Sequence, residues 1–158
     1  MRCLHKGLEI RIMTSKELKK LLYSNFASLK KPRTPWSREP ISCRDTEYPT
    51  INHDHYVQCD RRVWDKIIGA NIDYGNLFPD CDDFADIKVG LFKMEWWLLI
   101  KKGLIPEGSA PSYGNCSGYN PNGENHAFNV FRSDKGIYIS DYGDIVSIFG
   151  YKPIYVRF

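Results

Sequence analysis

The chain has 158 residues, 42% of them hydrophobic and 14% aromatic, and carries a formal net charge of +3. That balance fits one packed globule with a real core and excludes a disordered tract. The five cysteines, Cys3, Cys43, Cys59, Cys81 and Cys116, are odd in number and show no CxxC spacing, which argues against a ribbon-type zinc site or a fully paired disulfide framework and for a reducing compartment.

No apolar run reaches the roughly 18 residues a membrane span needs, and Glu9, Arg11 and Lys16 break the segment where a signal peptide would be apolar. The expectation is a cytoplasmic protein that does not enter a membrane. The charge is uneven, because residues 1–44 hold eleven Lys/Arg against three Asp/Glu while the remainder holds eleven against sixteen. A basic arm on an acidic body can seek nucleic acid, another anionic partner for residues 16–44, or the acidic face of its own body.

In chain order, Thr14-Ser15-Lys16-Glu17 is a capping box, so a helix is expected from Ser15 with Leu18, Leu21, Leu22 and Phe26 as its apolar stripe and an end near Leu29. Met13 reads as a natural start, leaving residues 1–12 as a weakly ordered extension. The run from Lys30 to Pro40 has three prolines and reads as an extended connector pinned to the body by Trp36. This divides the chain into a basic N-terminal extension, 1–47, with one helix and a Pro-rich connector, and a single folded domain, 48–158.

His55 to Cys59 reads as a short strand, and Asp60 as the cap of a helix that runs through Val63, Trp64, Ile67 and Ile68 to Gly69. Residues 71–79 form an irregular approach to Asp80-Cys81-Asp82-Asp83, which opens a long apolar helix reaching Lys102. Its two interleaved apolar rows, Phe84, Ile87, Leu91, Met94, Leu98 and Ala85, Val89, Phe92, Trp96, Leu99, predict burial over most of its circumference. Gly90 within it would admit another element closely.

Residues 107–125, rich in Gly, Ser, Pro and Asn, read as a loop with one short strand near Ser112-Tyr113. His126 to Arg132, a turn at Ser133-Asp134-Lys135-Gly136, and Ile137 to Tyr142 form a β-hairpin, followed by strands at 145–149 and 154–158. Helices first and antiparallel sheet second is an α+β pattern, with the main helix packed on one face of the sheet.

Cys81 sits at the mouth of that helix, where unpaired amide groups and the helix dipole favour a thiolate. If Asp134-Lys135 is a two-residue turn, Phe128 lies opposite Asp141, and His126 is its diagonal neighbour at a Cα distance of about 7–8 Å. A histidine in reach of a thiol can take its proton, and an acidic group can fix the imidazole's orientation. Cys81, His126 and Asp141 are therefore the candidate catalytic set, with Gln58 or Asn115 as a side-chain donor to an oxyanion. A change of one residue in the turn would favour Asp144 instead. Taken singly, a cysteine at a helix start and a histidine on a strand are more often structural residues.

Cys81-Asp82-Asp83-Phe84-Ala85, His126-Ala127-Phe128-Asn129-Val130 and Ser140-Asp141-Tyr142 resemble the papain-like and transglutaminase-like cysteine enzyme superfamily. The C-terminal cysteine-protease domain of fungal agglutinins, with related small bacterial and phage proteins, is the nearest variant. The likeness covers residues 55–146. It implies a buried helix carrying the Cys81 nucleophile packed on an antiparallel sheet, a His126 base, and Asp141 where the agglutinin domain has glutamate. It also implies calcium activation, with Asp82 or Asp83 linked to the metal. Hard carboxylate oxygens suit calcium, which would offset the negative charge around the thiol, although the same carboxylates also suit a helix cap.

The function these features predict is a thiol hydrolase or acyl transferase acting on amide bonds in a protein or peptide substrate. One alternative is a catalytically inactive papain-like fold serving as a binding or inhibitor module, encoded by a phage and acting in the host cytoplasm. Another is a nucleic-acid-associated protein that uses its basic arm.

Overall fold

Capping side chains set where the helices begin. The computed structural model describes residues 4–5, 8–9, 11–50, 52–70 and 80–158. Its elements are β1 (Leu4–His5), β2 (Leu8–Glu9), β3 (Arg11–Thr14), α1 (Ser15–Asn25), β4 (Ile41–Ser42), β5 (Glu47–Thr50), α2 (His53–Gly69), α3 (Cys81–Lys101), β6 (Tyr113–Tyr119), β7 (Asn125–Ser133), β8 (Gly136–Asp141), β9 (Asp144–Val146) and β10 (Lys152–Arg157). Thr14 accepts from the Glu17 amide while the Glu17 carboxylate takes the Thr14 amide at 2.8 Å, so α1 starts where the capping box predicts. Asp80 and Asp83 form the same reciprocal pair at the head of α3.

The expected strand at 55–59 is corrected. Asn52 accepts from the Asp54 amide at 2.8 Å and starts α2 at His53, which places Cys59 and Asp60 inside the helix, both buried. Asp60 is not a cap because its carboxylate is drawn into the core, where it meets Lys88, Ser140 and Tyr113.

The main sheet has six strands in the order β4-β10-β6-β7-β8-β9. Its first pair, β4 with β10, is parallel and the others are antiparallel. The largest departure from the sequence reading is β6, a central strand where a loop was expected. Its composition has a physical reason: a Cβ on Gly114 would collide with the Arg157 carbonyl, and one on Gly118 with the Lys152 carbonyl. Glycine here allows β10 to approach, so the residues that look like loop are the ones this pairing requires.

Alternation along β7 covers both faces of the sheet. Phe128 and Val130 pack with Leu18 and Leu22 of α1 and with Phe26 just after it, whereas Phe131 packs with Tyr56, Val63, Phe92 and Trp96 of α2 and α3. Successive side chains on a strand point to opposite faces, so α1 lies on one side and the α2–α3 pair on the other. The papain-like/transglutaminase-like expectation of one buried helix on one face of an antiparallel sheet is corrected to a six-stranded mixed sheet covered on both faces. Each fully buried Phe or Leu in these layers contributes about 1.5–3 kcal/mol relative to exposure.

Four smaller expectations are also corrected. α3 is not buried on most of its circumference, because Met94, Trp97 and Leu98 are exposed and its inner face includes Lys88 and Glu95. Among the described residues nothing approaches Gly90 closely. Trp36, 93% exposed, does not pin the connector. Arg11 and Ile12, expected in a weakly ordered extension, pair as part of β3 with β5; residues 1–3, 6–7 and 10 of that extension, and the approach at 71–79, lie outside the described residues. The helix of the expected N-terminal extension shares its core with the sheet.

Candidate functional site

The hairpin has the register that a two-residue turn dictates. Ser133 pairs with Gly136 and Asn129 with Ser140, which sets His126 diagonal to Asp141, and the two side chains meet at 2.8 Å between Nε2 and Oδ1. From the other side, the Tyr151 hydroxyl donates to Asp141 Oδ2 at 2.8 Å. The carboxylate is thus held by two partners. Burial and that bond push the Tyr151 hydroxyl's pKa well up, because ionisation would set a phenolate against Asp141.

Cys81 reaches the same place from α3. Its Sγ accepts from the Ala127 amide at 3.4 Å, next in the chain to His126. Cys81, His126 and Asp141 therefore lie at one end of the sheet, with Cys81 partly exposed.

Over them stands Tyr142. It is the non-glycine residue with positive φ among those described, at 52°, and with Gly143 it makes the two-residue connection from β8 to β9. Turns of this kind match the sheet's twist but strain a residue with a Cβ by about 1–2 kcal/mol. Strain of this kind, held by packing, is a pointer to function. The ring packs against Phe84, Trp64 and His126 at centroid distances of 5.6, 6.0 and 5.6 Å and stays 42% exposed. A Cβ on Gly143 would strike the Trp64 indole, so that neighbour must be glycine.

Beneath the turn is a buried polar group that the sequence did not disclose. Lys88 lies 3.3 Å from Asp60 Oδ1 and also donates to Ser140 Oγ and to the Tyr142 carbonyl. Asp60 accepts in addition from the Tyr113 hydroxyl at 2.5 Å and from Ser140 at 2.9 Å. Burial lowers the Lys88 pKa, opposed by the Asp60 charge, whereas burial and Asp60 together raise that of Tyr113. The outcome is a fixed backbone at Tyr142, tied to α2 and α3.

Other expected site residues are placed elsewhere. Asn115 donates to Asp86, which also meets Arg157 at 3.2 Å; Gln58 is exposed on α2. Neither has a described hydrogen bond to Cys81. Asp83 is taken up by the cap with Asp80, and among the described residues no group of three or more His, Cys, Asp or Glu could hold a metal ion. Sequence reasoning missed Trp64, Lys88, Tyr151 and the role of Tyr142; only the Tyr142-Gly143 pair between two strands carried a local turn signal.

No protein family and no curated protein matches the chain. Solved structures do. A chain recorded as the PSL1a–E64 complex superposes with a TM-score of 0.59 and 19% identity, over 93% of this chain and 50% of that one. Polyporus squamosus lectin bound to a human-type influenza-binding epitope, Neu5Aca2-6Galb1-4GlcNAc, gives 0.54 and 17%, over 93% and 49%. This chain spans about half the length of each, and the likeness is one of fold.

These neighbours correct the identity expected from sequence. PSL1a is the Polyporus squamosus lectin, and the fold shared with these lectin chains replaces the papain-like and transglutaminase-like recognition; the comparisons give no support to a thiol hydrolase or acyl transferase, or to a protein or peptide substrate. The nucleic-acid alternative also lacks support. Among the described residues no helix is long and apolar enough to cross a membrane.

Proposed function

We propose that the chain is a binding module for carbohydrate, its ligand seated on Tyr142 beside His126. The observation that carries this reading is the fold shared with the Polyporus squamosus lectin chains, one of them recorded with a bound glycan. The site supplies chemistry suited to sugars: an exposed aromatic ring for the apolar face of a pyranose, with an imidazole and a carboxylate beside it for hydroxyl groups. Of the alternatives raised from the sequence, a binding module agrees with this in part.

The test is calorimetric titration of the full chain with Neu5Aca2-6Galb1-4GlcNAc and a panel of neutral and sialylated glycans. Saturable binding is expected to fall at least tenfold in Tyr142→Asn, since asparagine tolerates the left-handed backbone but has no ring. Cys81→Ala should bind within about twofold of the parent, as loss of one partly exposed thiol removes little contact. Absence of binding across the panel, or turnover of any of these ligands, would overturn the proposal.

A further inference from the structure

The face of α3 turned away from the sheet is apolar where a solvated helix would be polar. Ala85, Lys88, Phe92, Trp96 and Leu99 are buried on the inner face. The opposite line along the helix is therefore Asp83, Ile87, Gly90, Met94, Trp97 and Lys101, at alternating steps of four and three residues. That alternation is the seam of a coiled coil, whose contact positions recur about every 3.5 residues. Met94 is 60% and Trp97 52% exposed, and Leu98 beside them is 41% exposed. Large apolar side chains grouped on one exposed face mark an interaction surface.

Gly90 is the informative member. It stands exposed in the middle of the stripe, and among the described residues no atom lies within 4 Å of where its Cβ would be. Glycine weakens a helix interior relative to alanine, yet no contact among the described residues requires it. The missing side chain leaves a notch that a long side chain from outside can enter. The two ends of the stripe also differ in charge, with Asp82, Asp83 and Asp86 at the start of α3 and Lys101 and Lys102 at its end.

We propose that this face is the interface between two copies of the chain, with α3 packed antiparallel on α3. One register satisfies every position of the seam. Met94 of each copy enters the notch at Gly90 of the other, Ile87 meets Trp97, and Asp83 meets Lys101 at both ends. Each contact recurs by two-fold symmetry, as a self-complementary interface requires, and opposite charges fix the direction. A parallel pairing would set Lys101 against Lys101 and Asp83 against Asp83. Leu91 and Leu98 line one flank of the seam, and Lys93 stands at the rim of the other. From Asp83 to Lys101 the seam runs about 27 Å at roughly 1.5 Å per residue. Such a contact buries on the order of 1,000 Å² over both copies, at the lower limit for a specific interface, so the dimer is a reversible one of micromolar affinity. Tyr142, His126 and Asp141 take no part in it, and it stands or falls independently of glycan binding.

Sedimentation equilibrium of the full chain, from about 1 to about 300 µM, brackets that affinity. The average mass should rise with concentration from that of one chain towards that of two. Gly90→Gln fills the notch with a better helix former, so association should weaken at least tenfold while the urea midpoint of the dilute chain is unchanged or higher. Lys101→Glu sets like charges together at both ends and should weaken association severalfold, more so at low salt. The proposal is overturned if the parent stays monomeric throughout, as it would if the face received a different protein. It is also overturned if Gly90→Gln associates like the parent, or if Lys101→Glu does, which is the outcome a parallel pairing gives.

Discussion

At the scale of single residues, burial rather than sequence position sorts the cysteines. Burial pushes the Cys59 thiol up to about 12 and raises Cys116 well above the ordinary value, whereas Cys81 keeps part of its surface at the mouth of α3. Thiolate is the reacting form, so at pH 8 the two buried groups lack both the anion and access. Iodoacetamide followed by peptide mapping should label Cys81 in the native chain and spare Cys59 and Cys116. All three should react in urea. Native labelling of Cys59 faster than Cys81 would contradict the packing described.

Among elements, the contacts that matter most join α2, α3 and the β8–β9 turn through Asp60, Lys88 and Ser140. Both ionic side chains are 1% exposed. Removing one partner from such a pair strands the other charge in the core, at a cost of about 3–5 kcal/mol. Lys88→Met should therefore lower stability to urea by that amount, and Asp60→Asn by a comparable one. The double variant should be more stable than the two losses added together predict, because neither charge is then stranded. Additive losses would mean that the ion pair does not couple the two helices. Glu95 joins the same helices at their edge, 3.2 Å from Arg62 and in contact with Lys66, but those cations are about half exposed and the pairs contribute less.

For the whole molecule, several neutral acids buried in the core determine how stability responds to alkali. The Tyr56 hydroxyl is raised from 10.0 to about 12 and the Cys59 thiol from 9.0 to about 12, both chiefly by burial, and Tyr113 is raised well above 10.0. Between pH 9 and 12 the folded chain holds protons that the unfolded chain releases, so their stabilisation is complete below about pH 9 and is lost as pH climbs. Lys88 acts in the opposite sense, since burial lowers its pKa below the ordinary 10.5 and the unfolded chain holds the extra proton in that window. Cys116 and Tyr151 are raised as well, so Lys88 is outnumbered. The urea midpoint should fall from pH 9 to pH 11, and a flat or rising midpoint would show that these hydroxyls and the thiol are not buried as described.

What the sequence by itself determined is whatever depends on neighbours in the chain. The capping boxes at Thr14–Glu17 and Asp80–Asp83 mark the starts of α1 and α3, because a cap is closed by a residue three positions away. The two-residue turn at Asp134-Lys135 dictates the β7–β8 register, and the meeting of His126 with Asp141 follows from it. The tertiary structure decided the rest. Gly114 and Gly118 read as loop until β10 lies against them, Asp60 reads as a cap until Lys88 arrives from α3, and the likeness of site motifs to cysteine enzymes yields to a fold shared with lectin chains. Partners so distant in sequence leave no local pattern, because a side chain's free energy in a core depends on what surrounds it in space rather than on its neighbours in the chain.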